Sequence, residues 1–308
     1  MTRKFLITGG AGNVGSALAK RLVQDENNFV CVVDNLSTGA MHKLPNLDTK
    51  NFKFIQADVN DFDTLASIFL QNPFDYVFHY AAVVGVQRTL ENPLLVLNDI
   101  EGIKNILKLS SYSKVKRIYF SSSSEVYGEP IEFPQNENTT PLNSKLPYSI
   151  VKNLGEAYFK SYHASYGLDY TIFRFFNTYG ENQSTDFVIP KFIELAKNNL
   201  PITIYGDGSQ TRTFCYVDDN IATTLATLDE NKGINDVINI GSDVEISVLD
   251  LAKEIIRLTN SSSEIKHLPA LKEGDMTRRK PDISKMKSIL NRPMVTLEDG
   301  LKKLIALS

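Results

Sequence analysis

Short apolar runs alternate with longer segments of helical period through the first half of the chain. KFLIT, NFVCVVD, FKFIQ, YVFHY, KRIYFSS, DYTIFRF and DVINI are brief, rich in β-branched and aromatic residues and bounded by turn signals, so they predict buried strands. Between the early runs, NVGSALAKRLVQ, DFDTLASIFLQ, NPLLVLNDIEGIKNILKLSS and YSIVKNLGEAYFKSYHASY predict amphipathic helices. Strict alternation of strand and helix implies right-handed crossovers and a parallel sheet covered on both faces, an α/β doubly wound fold. After about residue 177 the pattern loosens, with loops at ENQSTD, YGDGSQTR and LPALKEGDMTRRKPD around short helical pieces. A smaller lobe is expected there, with DVINIG returning to the main sheet. No internal repeat or low-complexity segment is visible; SSSS at 121 to 124 ends a strand and is too short to count as one.

The junction between the first strand and the first helix reads TGGAGNVG. Glycines at 9, 12 and 15 would let the chain turn tightly, let a pyrophosphate approach the backbone and let helix pack on strand, with the helix N-terminus facing the phosphates. The spacing is GxxGxxG, not GxGxxG, and a glycine triplet alone could mark an ordinary tight turn. Context strengthens it. Asp34 closes the second strand nineteen residues after Gly15, close to the roughly 20 at which an acidic residue holds the adenosine ribose hydroxyls in a Rossmann-type fold. An acid there repels a 2′-phosphate, so NAD is favoured over NADP. No GK[ST] follows the glycines, which removes a P-loop. The alternative for Asp34 is a capping role only. The candidate cofactor residues are Gly9, Gly12, Asn13, Val14, Gly15, Asp34 and Asn35. Residues 1–176, with 233–242 returning to their sheet, are expected to form the NAD-binding domain, and 177–308 the smaller lobe.

Charge and cysteine content narrow the class. In 308 residues, Lys plus Arg number 33 and Asp plus Glu 36, a net charge of −3; a nucleic-acid partner is not expected. Cys31 and Cys215 are the two cysteines and lie in apolar runs without a CxxC pair, so they read as buried, inert thiols, not as a disulfide or metal site. The N-terminal apolar run in MTRKFLITGG is far shorter than the roughly 7 to 15 residues of a signal-peptide core, and no window approaches 18 apolar residues. A soluble, cytoplasmic protein without membrane partners is the expectation.

A second constellation lies at mid-chain. SSSSEVYG ends the fifth strand, and PYSIVK opens a helix about twenty residues on. Tyr148 and Lys152 stand four apart, on one helix face about a turn apart. A phenol of pKa about 10 must be lowered by about three units, roughly 4 kcal/mol, to serve as a base at neutral pH. An ammonium one turn away and the helix N-terminus could both contribute. A YxxxK in isolation more often marks a solvated helix face.

These motifs together resemble the extended short-chain dehydrogenase/reductase family, in particular its nucleotide-sugar epimerase, dehydratase and decarboxylase members. The resemblance runs in order through TGGAGNVG, DNLSTG, ADV at 57 to 59, HYAA at 79 to 82, SSSSEVYG, YSIVK, RFFNTYG at 174 to 180, YGDGSQTR, YVDD and RRKPD at 278 to 282. It implies that Ser123 occupies the catalytic Ser/Thr position beside Tyr148 and Lys152. It further implies Asp58 and Val59 at the adenine, Ala81 and Ala82 beside the cofactor, Ser123, Ser124 and Asn177 beside the sugar nucleotide, and Arg212 and Arg279 at its phosphates, where a guanidinium fork matches phosphate oxygens. A solvated basic run is the alternative for Arg278 and Arg279. A homodimer through helices containing residues 98–112 and 148–165 is also implied; Ile100, Ile103, Ile106, Leu107, Leu154, Ala157 and Tyr158 extend beyond one apolar stripe and would need a second partner.

Departures from the family pattern bear on the substrate. Dehydratases usually carry Asp-Glu after the catalytic Thr, whereas here the pair is Ser124 and Glu125, so one acid/base group is missing. Ser-Ser-Glu resembles the UDP-glucuronate decarboxylases, but VVGVQRTLENP after Ala82 looks closer to the 4-epimerases. Arg88 stands where uronic-acid epimerases commonly have an aromatic residue, and Thr213 where the family often has Asp. Glu125 reads equally as a catalytic or a structural carboxylate. The expected activity is NAD-dependent oxidation of a UDP- or GDP-linked sugar at C4. A 4-epimerase heads the reading, with a net 4-dehydrogenase, a UDP-glucuronate decarboxylase or a non-catalytic sugar-nucleotide binder as alternatives.

Overall fold

The computed structural model describes residues 2–129, 131–269 and 278–307. All seven apolar runs are strands of one parallel sheet. They are β1 (Arg3–Thr8), β2 (Asn28–Asp34), β3 (Phe52–Gln56), β4 (Tyr76–His79), β5 (Arg117–Ser123), β6 (Tyr170–Phe175) and, after four short strands, β11 (Asp236–Ile240). The short ones are β7 (Thr178–Tyr179), β8 (Ile202–Tyr205), β9 (Thr211–Thr213) and β10 (Cys215–Tyr216), followed later by β12 (Glu245–Ser247) and β13 (Ile265–Leu268). In the sheet the order is β11-β6-β5-β4-β1-β2-β3. The order reverses between β1 and β4, and the gap between their C-terminal ends is where open α/β sheets take ligands.

Helices α1 (Asn13–Leu22), α2 (Phe62–Gln71), α3 (Val86–Glu91), α4 (Pro93–Tyr112) and α5 (Pro147–Tyr166) accompany the first six strands. Then come α6 (Val188–Lys197), α7 (Val217–Asp229), α8 (Val248–Thr259), α9 (Ser284–Leu290) and α10 (Leu297–Leu307). Two apolar cores result, one on each face of the sheet: Phe5, Ile7, Val30, Val32 and Phe78 face one side, and Leu6, Cys31, Val33 and Val77 the other. This is the physical meaning of a strand that reads as continuously apolar. Burial pushes the Cys31 thiol up to about 12 and the Cys215 thiol also upward, and both cysteines are free and buried.

The helix α4 differs from the expectation for a two-sided apolar surface. Ile103, Ile106 and Leu107 are at most 2% exposed within the chain, so they fill the core under the sheet. The exposed large apolar residues of α4 and α5 are Leu94, Leu95, Leu97, Tyr112, Ile150, Leu154 and Tyr166.

One buried ion pair ties the sheet to α5. Arg174 on β6 donates from Nε and Nη2 to the two carboxylate oxygens of Glu156 at 2.8 and 2.7 Å. Ser122 Oγ donates to the same carboxylate at 2.6 Å. Arg174 Nη1 donates to the Tyr127 hydroxyl, which donates to Asn239 Oδ1, each at 2.8 Å. Replacing Glu156 by Ala leaves Arg174 buried without its anion, and denaturation midpoints should report a loss of about 3–5 kcal/mol. The double variant Glu156→Gln, Arg174→Met, which removes both charges, should recover a substantial part.

Candidate active site

The glycine turn is shaped by close approach. Gly9 has φ +69, and a Cβ there would lie 2.5 Å from the Ala81 backbone nitrogen; at Gly15 it would lie 2.5 Å from the Gly9 carbonyl oxygen. Side chains are thus excluded where the end of β4 meets the turn. Gly12 precedes α1 without any side-chain cap, leaving helix N–H groups directed at the cavity mouth. Asn13 lines the same cavity, and its Oδ1 is buried with no hydrogen-bond partner among the described residues. An uncapped helix start and a glycine floor fit a pyrophosphate-containing cofactor, and the orphaned Asn13 oxygen is free to accept from a hydroxyl or N–H of such a ligand.

Asp34 is 7% exposed. Its Oδ2 accepts from the Ala11 N–H at 2.9 Å and its Oδ1 from the Leu36 N–H at 2.8 Å. It therefore does cap the turn, and the remaining lone pairs are available to ribose hydroxyls. Asn35 Nδ2 donates to Asp58 Oδ2 at 3.2 Å, joining the loops after β2 and β3. Gly9, Gly12, Asn13, Val14, Gly15, Asp34, Asn35, Asp58, Val59, Ala81 and Ala82 all line one cavity of about 470 Å³.

Ser123, Ser124, Glu125, Tyr148, Lys152, Asn177 and Arg279 line that cavity as well. Ser123 is the last residue of β5, and its Oγ accepts from the Glu125 N–H at 3.2 Å. Tyr148 sits in the first turn of α5, begun by Pro147, whose missing N–H costs nothing there. Lys152 lies one turn on, 3% exposed, with Nζ donating to Ser121 Oγ at 3.4 Å and standing 5.7 Å from the Tyr148 ring centroid. Arg279 Nη2 is 3.6 Å from Glu125 Oε1, and its Nη1 donates to Ser124 Oγ at 3.4 Å. Arg212 is not among the residues that line the cavity; it lies on β9, where its Nη1 donates to the Thr211 carbonyl oxygen at 2.8 Å.

The electrostatics differ from the simple expectation of a phenol activated by its lysine. Burial raises the Tyr148 pKa, Glu125 and Asp99 raise it further, and the Ser123 hydroxyl and Arg279 lower it. The protein's own groups hold Tyr148 as a neutral phenol. Burial pushes Lys152 down to about 8, with Asp99 acting in the opposite sense. His79, buried at the end of β4 and within 2.8 Å of Thr8 Oγ1, is pushed down to about 3 by burial and by the Lys152 charge, so it stays neutral.

Several cavity residues escape the sequence motifs, among them the charged Lys43 and Asp99. Lys43 follows DNLSTG, and burial lowers its pKa while Asp34 acts against that; nothing in the pattern of a loop marks it. Asp99 accepts from the Val83 N–H at 2.8 Å. It stands three residues after buried Val96 and four before buried Ile103, and a carboxylate on that inward stripe is a signal that spacing could have given. Arg88, flagged above as a departure, also lines the cavity and pairs with Asp186 at 3.1 Å.

Residues 5–241 match the NAD dependent epimerase/dehydratase family. The UDP-N-acetyl-alpha-D-glucosaminuronate decarboxylase of Bacillus cytotoxicus is 38% identical, over 99% of this chain and 97% of that one. A putative UDP-glucose 4-epimerase of Methanocaldococcus jannaschii is 36% identical over 98% and 97%. Among solved structures, the UDP-glucose 4-epimerase of Thermotoga maritima, with UDP-glucose, superposes with a TM-score of 0.93 at 33% identity, covering 99% of this chain and 98% of that one. The chain belongs to the NAD-dependent epimerase/dehydratase family and is an enzyme that uses NAD.

Asp34 sets an expectation for the cofactor. A 2′-phosphate beside this carboxylate meets like-charge repulsion, so calorimetric titration should show tighter binding of NAD than of NADP. Equal or reversed affinities would rule this out.

Proposed function

We propose that the protein is a nucleotide-sugar 4-epimerase: it oxidises a UDP- or GDP-linked sugar at C4 and returns hydride to the opposite face of the 4-keto species. The observation that carries this reading is one continuous cavity with the glycine turn and Asp34 at one end and Ser123, Tyr148 and Lys152 along its wall. Tyr148 takes the C4 hydroxyl proton, Ser123 hydrogen-bonds the reacting oxygen, and Lys152 holds the nicotinamide-side ribose. Bound NAD supplies the hydride acceptor and, when oxidised, a positively charged ring that favours the phenolate. Gly9, Gly12, Asn13, Val14, Gly15, Asp34, Asn35, Asp58, Val59, Ala81 and Ala82 would hold the cofactor, while Ser124, Asn177 and Arg279 would meet the sugar nucleotide. Arg212, on β9, is assigned to the phosphates of the sugar nucleotide in the same scheme. In this division residues 1–176 with 233–242 serve NAD, and 177–308 serve the sugar nucleotide.

A decarboxylase is the second reading. It is favoured by Glu125 and Arg279 beside Ser124 and by the name of the Bacillus cytotoxicus relative. Incubation with UDP- and GDP-linked hexoses, uronic acids and heptoses separates the outcomes. A product of unchanged mass but new configuration supports epimerisation, loss of carbon dioxide supports the decarboxylase, and stoichiometric accumulation of reduced nicotinamide supports a net dehydrogenase. NAD binding without turnover of any of these would leave a binding protein.

No helix among the described residues is long and apolar enough to cross a membrane, and a cytoplasmic location is part of the reading. So is a homodimer through α4 and α5, for which the exposed Leu94, Leu95, Leu97, Ile150 and Leu154 supply an apolar surface. Light scattering at micromolar concentration should report a dimer, and a monomer would contradict it.

Replacing Tyr148 by Phe removes only the ionisable oxygen. Turnover should fall by about 10²- to 10⁴-fold while NAD still binds. Near-normal turnover would place the base elsewhere, with Glu125 the next candidate.

A further inference from the structure

We propose that Glu245, on β12, is a positioning residue for the sugar-nucleotide end of the cavity: its carboxylate holds Arg278 and Lys280 on one side of the chain and so keeps Arg279, which lies between them, turned into the cavity. This rests on the reading given above in which Arg279 meets the sugar nucleotide.

The segment that carries Arg279 is tied on both sides of that residue. After it, Gln135 N donates to the Lys280 carbonyl oxygen and Asp282 N to the Gln135 carbonyl oxygen, each at 2.8 Å. Before it, Arg278 bridges Thr211 of β9, and its side chain forms a fork: Nε and Nη2 donate to the two oxygens of Glu245 at 2.6 and 2.8 Å. Lys280 Nζ stands 3.3 Å from Glu245 Oε2, and Thr211 Oγ1 donates to Glu245 Oε1 at 3.4 Å. The Arg278 guanidinium also lies 4.4 Å from the centroid of the Phe133 ring, a cation–π contact that holds it from a second side. Arg278 beside Glu245 keeps that carboxyl down at about 2, so the anion is present throughout the neutral range.

Successive side chains of an extended chain point to opposite sides. Arg278 and Lys280, two apart, both reach Glu245; Arg279 is 7% exposed, lines the cavity and reaches Glu125 and Ser124. One carboxylate outside the cavity lining thus sets the direction of the cation that lies between its two partners. The side chains of Glu245 and Arg278 are 18% and 45% exposed, so their pairing adds little to stability. Its contribution is direction, because a bidentate pair admits one orientation of the fork. An arginine released from that hold must be ordered again each time the ligand binds.

A double-variant cycle of Glu245→Gln, Arg279→Ala and the two combined tests this. UDP-glucose and GDP-mannose, which carry the two nucleotides on a hexose, are each titrated calorimetrically into the protein with NAD present, and the one that the wild type binds more tightly is followed. Arg279→Ala should lower its affinity about 10- to 100-fold, the usual loss for a charge-assisted hydrogen bond. Glu245→Gln should lower it about 2- to 10-fold, the cost of ordering one arginine side chain, with NAD affinity unchanged. In the Arg279→Ala background Glu245→Gln should add nothing. Wild-type affinity in Glu245→Gln, or the same loss with and without Arg279, overturns the proposal. So does an equal fall in NAD affinity, which marks a general loss of structure. Should Glu245→Gln fail to fold, Arg278→Met breaks the same pair from the other side and is read in the same cycle by the same criteria. Unchanged binding by Arg279→Ala, or binding of neither probe by the wild type, sinks the reading of Arg279 and the proposal with it; weakened binding by Arg279→Ala with none by Glu245→Gln sinks the proposal alone.

Discussion

The bidentate pair between Arg174 and Glu156 is the constraint from which the geometry of the catalytic wall follows. Residues 148, 152 and 156 recur every four positions on α5, so Tyr148, Lys152 and Glu156 share one face of the helix. Glu156 is clamped to β6 through Arg174 and to β5 through Ser122. The same clamp therefore sets how far along the sheet the helix lies and which way its face turns. Ser123 follows Ser122 directly, so the hydroxyl opposite Tyr148 is fixed by the neighbouring residue of the same strand. A charged pair this deep is expensive to bury and is an uncertain source of stability. What it contributes here is register, because two parallel N–H to oxygen bonds admit one orientation of the helix against the sheet.

With that frame fixed, the cavity holds its charges in opposition. Tyr148 is kept neutral by burial and by the fields of Glu125 and Asp99, while Lys152 is pulled toward neutrality by burial and held back by Asp99. Arg279 faces Glu125 and Ser124 from a distant part of the chain. Anionic Asp99 and Glu125 and cationic Lys152 and Arg279 thus share one cavity. A site so arranged responds strongly to any charged group brought into it, since low dielectric amplifies each interaction.

The sheet was readable because its strands are buried on both faces, which makes them continuously apolar, and because the crossover helices carry clean stripes. The glycine turn, Asp34, Ser123, Tyr148 and Lys152 were readable because backbone approach and helical spacing leave local marks. Asp99 was missed although it lies on an inward stripe, since its use depends on β4 and α5, which the local pattern does not contain. Lys43 was missed because loops carry no period. Ile103, Ile106 and Leu107 were counted among residues extending beyond one stripe because periodicity counts apolar positions without saying how wide a surface the sheet covers. Arg212 was placed by motif order, and it is not among the residues that line the cavity.

The short ladder of β7 with β10 has a bearing on divergence. Thr178 and Tyr179 pair with Cys215 and Tyr216, and Cys215 N donates to the Asn177 carbonyl oxygen at 3.3 Å. The chain from 180 to 214 therefore leaves and rejoins the main body through a two-strand stem. That excursion contributes Asn182, Gln183, Ser184, Asp186, Phe187, Val188, Ile189 and Phe214 to the cavity. Within it α6, β8 and β9 are anchored by buried residues and by pairing with β12 and β13, so the rule that adding or removing loop residues changes closure entropy only logarithmically applies to the loop of residues 180–187 before α6. Insertions and replacements in this part of the gene would reshape the substrate side while the sheet, the glycine turn and the α5 clamp are inherited unchanged, so new specificities can arise without refounding the fold.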